Sequence, residues 1–104
     1  MINFTKENLY YNDYTWTPKK ANDPKISGKL DDTRFNWREG EEVLFIINKI
    51  IPLWDLTRIE SCTRIERIIR EKLPNSINTQ EEVVTWIQIN WKNIKLVENV
   101  VGKI

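Results

Sequence analysis

Histidine is missing from all 104 residues. With it go the commonest general base at neutral pH, the Ser-His and Cys-His nucleophile pairs, and every imidazole metal ligand. Cysteine occurs once, as Cys62, which excludes an internal disulfide and a cysteine-rich zinc site and fits a reducing compartment. Glycine is scarce as well. Ser27-Gly28-Lys29 lacks the earlier glycine and the following Ser or Thr of a phosphate-binding loop, so nucleotide hydrolysis has no motif behind it. Neither sign of charge is in excess: 16 Lys and Arg against 15 Asp and Glu leave +1, and no overall field steers the chain toward nucleic acid or an anionic membrane.

Long apolar runs are also lacking. Val43 to Ile47 is interrupted by Asn48 and Lys49 before resuming at Ile50, far short of the ~20 residues a membrane span requires. Met1 to Glu7 has neither a basic start leading into an apolar stretch nor a small-residue cleavage site. The expectation is a cytoplasmic protein without membrane association. The abundance of Ile, Asn and Lys points to an AT-rich coding genome, of the kind found in bacteria, phages or mobile elements.

What is present favours a folded chain. Apolar residues at 40% and charged residues at 30% form a globular balance rather than a disordered one, and the length suits one domain, residues 1–104. The fold class expected is mainly α: a small bundle of three main helices, residues 31–104, with an extended N-terminal arm, residues 1–30. The arm has room for one short β-strand where Tyr14 and Trp16 alternate with Thr15 and Thr17.

Three sites of the form Ser, Thr or Asn followed three residues later by Glu mark helix starts: Asn36 to Glu39, Thr57 to Glu60, and Thr79 to Glu82. Helix one is predicted from Phe35 or Asn36 to Pro52, with Val43, Leu44, Ile46, Ile47, Ile50 and Ile51 on its apolar face. Helix two follows the stripe Ile59, Cys62, Ile65, Ile68, Ile69 and Leu73 up to Pro74. Its opposite face offers Glu60 with Arg64, Glu66 with Arg70 and Arg67 with Glu71 as four-residue ion pairs. Helix three is predicted from about Gln80 to at least Trp91, and residues 92–104 either continue it or fold back.

Candidate chemistry is sparse. Asp31, Asp32, Glu39, Glu41 and Glu42 form the one acidic cluster, and a metal-dependent enzyme could be built on Asp31, Asp32 and Glu39. Capping and helix-dipole compensation account for the same residues without a metal. Cys62 falls on the apolar stripe of helix two, where a buried structural thiol is the expectation. No catalytic residue and no cofactor or metal is implied.

Two binding readings remain. In the first, a non-enzymatic module presents exposed aromatic and aliphatic side chains to a protein partner or to another copy of itself. Tyr14 and Trp16 on the arm, Phe45 off the main face of helix one, and Ile89 and Leu96 off that of helix three are the candidates. In the second, a small nucleic-acid-associated regulator uses Lys19, Lys20, Lys25 and Lys29 of the arm with Arg64 and Arg67, and their neighbours Arg58 and Arg70, of helix two. A helix-turn-helix is disfavoured, because Glu81 and Glu82 would meet phosphates at the start of the reading helix.

Overall fold

The computed structural model describes residues 2–96 and has three helices: α1 (Gly40–Leu53), α2 (Ile59–Glu71) and α3 (Gln80–Asn90). A single 3-10 turn, Lys6–Asn8, is the one regular element of the arm. α2 packs against both α1 and α3. Isoleucine and valine are indifferent helix formers, so these helices owe their stability to the face they bury together. In α1 and α2 that face is the predicted one, Val43, Ile46, Ile47, Ile50, Ile51, Cys62, Ile65, Ile68 and Ile69 being buried and Leu44, Ile59 and Leu73 partly so; in α3 Val83 and Ile87 are buried as expected, but with Val84, while Trp86 and Trp91 are only partly buried.

The boundaries differ from prediction. α1 begins at Gly40, not at Phe35 or Asn36, because the Asn36 side chain closes a local turn by accepting from Arg38 N at 3.0 Å. Glu39 is the residue that caps the helix, with extended backbone angles. Gly40 is required there: a Cβ would collide with the Trp16 ring laid against it. At the other end α1 passes through Pro52 to Leu53, since a proline one residue from the end removes a single amide from the ladder. The turn out is made by Asp55 at φ 54°, and Leu56 N reaches back to Ile51 O at 2.9 Å.

α2 starts at Ile59 without a side-chain cap, so the Thr57 to Glu60 pattern goes unused. Thr79 and Glu82 do form their reciprocal box, Glu82 N donating to Thr79 Oγ1 at 3.3 Å and Thr79 N to Glu82 Oε1 at 3.2 Å. α3 ends at Asn90 with Trp91 as its cap, and residues 94–96 are not helical. The fate expected for residues 97–104 lies outside the described residues. No strand forms among the described residues; Thr15 makes only an isolated parallel bridge to Glu39, and Arg34 an antiparallel one to Thr79. That second bridge closes the bundle, because Gln80 N and Glu81 N at the start of α3 donate to Thr33 O and Asp31 O, both at 2.9 Å.

The arm is held to its own core. Phe4 is 2% exposed and clamped by Asn48, which accepts from Phe4 N at 2.9 Å and donates to Phe4 O at 2.7 Å. Four buried polar side chains complete the attachment. Glu66 accepts from Tyr10 N, Tyr11 N and Tyr14 Oη at 2.8, 3.2 and 2.7 Å. Glu39 accepts from Lys19 Nζ at 2.7 Å and from the hydroxyls of Thr15 and Thr17. Glu42 faces Lys19 Nζ at 3.9 Å and also accepts from Asn36 N at 2.9 Å, and the Gln80 carboxamide spans Asp31 N, Pro24 O and Lys25 O.

Candidate functional site

α1 and α3 each end in a tryptophan, Trp54 and Trp91, and the turns that stop the two helices bring the rings together edge to face, 5.9 Å apart at 72°. Beside them lies a hollow of about 560 Å³ lined by Trp54, Leu56, Ile89 and Trp91, with Ser61, Gln88, Lys92 and Asn93 at its polar edge. Ile89 is 72% exposed, more than any other large apolar side chain among the described residues. Leu53, one residue before Trp54, is also exposed.

Arg64 of α2 fixes this arrangement. Its Nη2 donates to Trp91 O and Ile94 O, both at 2.9 Å, and its guanidinium lies 4.8 Å from the Trp91 ring. One cation thus satisfies carbonyls at the end of α3, where the helix dipole favours it, and holds the ring against which a ligand would pack. An adjoining hollow of about 440 Å³ runs past Arg64 between Ile59 and Leu96.

Of the five residues singled out for partner binding, Ile89 and Leu96 therefore come to the two hollows beside Arg64. The other three do not. Tyr14 is half-buried with its hydroxyl on Glu66, and Trp16 is half-buried against Gly40 with Lys6 Nζ 4.4 Å from its ring. Phe45 is half-buried with Lys49 Nζ 5.5 Å from its ring. Trp54, Leu56 and Trp91, which make most of the apolar wall, were not candidates. The available signal was that both tryptophans stand where a helix stops, beside Pro52 in one case and at the end of the periodic stripe in the other.

The basic residues are scattered and largely engaged. Lys19 bonds to Glu39, Arg64 to backbone carbonyls, and Arg67 to Glu71 at 2.8 Å. Arg70 pairs with Asp13 through Nη1 and Nη2 at 3.1 and 2.8 Å. Lys20 and Lys29 are exposed, and Lys25 lines a separate hollow. Of the helix-two ion pairs only Arg67 with Glu71 forms. Glu66 and Arg64 have turned to the arm and to α3 instead.

The thiol and the phenol with shifted acidity lie away from the hollow. Burial pushes the Cys62 thiol above its ordinary range, as in an inert core cysteine. Burial and the bond to Glu71 raise the Tyr11 phenol to about 12. Among the described residues no group of three or more carboxylates or thiols is placed to hold a metal ion; Asp31 accepts from Thr33 N while Glu39 faces Lys19. No helix of the described residues is long and apolar enough to cross a membrane. Comparison with protein families, curated proteins and solved structures found no match to this chain.

Proposed function

We propose that this chain is a cytoplasmic, non-enzymatic binding module that takes an apolar side chain of a protein partner into the hollow at Trp54, Ile89 and Trp91. The observation that carries this reading is an exposed isoleucine standing beside a fixed tryptophan pair. Tryptophan held in a desolvated wall is the residue type that most often anchors protein contacts, and an aliphatic side chain left this exposed is stabilised when a partner covers it. A hollow of about 560 Å³ matches one or two aliphatic or aromatic anchors, and no carboxylate lines it among the described residues. The nucleic-acid reading draws less support, because Lys19, Arg64, Arg67 and Arg70 already face acceptors of the fold.

Selection of a random peptide library against the immobilised full chain, with nuclease present, tests the proposal. Peptides with an apolar anchor should emerge, lose about tenfold or more in affinity on Ile89→Asp, and keep their affinity on Lys20→Ala and at high salt. Concentration-dependent dimerisation abolished by Ile89→Asp would make a second copy the partner. Binders indifferent to Ile89→Asp, or displaced by moderate salt, would overturn the assignment.

A further inference from the structure

A third hollow, of about 480 Å³, opens between the loop ahead of α1, the end of α2 and the link from α2 to α3. Its wall carries Lys25, Arg34 and Arg70 and, among the described residues, no aspartate or glutamate. In a chain whose charges nearly cancel, Lys25 and Arg34 on one hollow, beside an Arg70 already paired with Asp13, are a local departure that the overall charge conceals. Arg70 is fixed there by Asp13 and by stacking, its guanidinium 4.9 Å from the Trp37 ring and 4.2 Å from that of Tyr11. Lys25 and Arg34 are exposed and make no salt bridge among the described residues.

We infer that this hollow binds a small phosphate-bearing ligand, with Lys25 and Arg34 on the phosphate and the carboxamides of Asn75 and Asn78 as further donors. An arginine fork beside a lysine point charge is the pairing that suits a tetrahedral oxyanion. The floor is apolar, formed by Phe35, Ile69 and Leu73, and can take an organic body attached to the phosphate. The volume falls in the range of small-molecule sites, roughly 300 to 1,000 Å³. The backbone around it is set by the fold: Phe35 N donates to Asn78 O at 2.8 Å, so Arg34 and Asn78 are held across the hollow before any ligand arrives.

The test is amide-resolved NMR titration of the full chain with inorganic phosphate, pyrophosphate and adenosine monophosphate, each at ionic strength matched with chloride. Saturable shifts should centre on Arg34, Asn75 and Asn78. Arg34→Ala should weaken binding about tenfold or more, Arg34→Lys less, and Lys25→Ala by several fold. Adenosine monophosphate binding more tightly than phosphate would show that the apolar floor is used; equal binding would assign the site to the anion alone. Absence of saturable shifts, or shifts unchanged by both alanine variants while circular dichroism shows them folded, would overturn the inference. So would a single-stranded oligonucleotide binding through Arg34 where the monophosphate does not.

Discussion

Between α1, α2 and α3 the contacts are aliphatic: Ile46, Ile47, Ile50, Ile65, Ile68 and Ile87 meet in a region closed to water. Between the arm and those helices the contacts are mostly directed. Phe4 supplies one buried ring, with Ile2, Leu9, Tyr14 and Leu30 partly buried against the core, and the directed attachment runs through Asn48, Glu39, Glu42, Glu66 and Gln80 to amides, hydroxyls, carbonyls and one ammonium group. The two regions should therefore respond differently to the loss of one side chain. An aliphatic core loses stability in proportion to the volume removed, whereas a buried acceptor that vanishes leaves several donors unpaired at once.

The largest effect is expected from Ile65→Ala, which empties a fully buried site at the centre of α2 and should cost about 3 kcal/mol in urea unfolding. Helical signal and arm protection should fall together, since the arm's acceptors are mounted on the helices; an arm still protected after the helices melt would break the comparison. Glu66→Ala should cost about 2 kcal/mol and act locally, with Tyr10 and Tyr11 losing hydrogen-exchange protection while α2 keeps its own. A uniform loss across arm and helices would show that they open as one unit.

Glu39→Gln gives the smallest and most specific change, about 1 kcal/mol at neutral pH. Hydrogen bonds from Lys19, Thr15 and Thr17 hold the Glu39 carboxyl at about 2, below its ordinary 4.5. The folded form thus binds this proton less tightly than the unfolded chain, so the stabilisation is present above pH 4.5 and is lost as pH falls toward 2. Glu42, pushed upward by burial, works in the opposite sense and is left intact by the substitution. The glutamine variant should accordingly show a flatter decline between pH 4.5 and 2; an unchanged acid limb would remove Glu39 from the account.

The same division explains what could be read in the sequence. The helices were legible because each buried stripe repeats at three and four residues, and a non-directional contact leaves that periodic trace. The arm's attachment left a fainter one. Glu66 has Cys62 four residues before it and Ile69 three after, so it sits on the apolar stripe, yet its four-residue spacing to Arg70 suggested a surface pair. Glu39 and Glu42 were attributed to the helix dipole, although both are buried and face loop and arm groups. The Trp54 and Trp91 hollow was out of reach for another reason: it depends on where two helices stop and on how Arg64 holds one of those ends.

The attachment of the arm also has an order in time. Phe4 binds Asn48, Tyr10 binds Glu66 and the Pro24 carbonyl binds Gln80, partners 44, 56 and 56 residues further along the chain. During synthesis the arm leaves the ribosome before any of its acceptors exists. Phe4 must wait for α1 and the arm's tyrosines for α2, and sequence separations this long slow folding well below the pace of a simple helical bundle. For a growing chain, a segment made before its partners in this way is among the last to find its place.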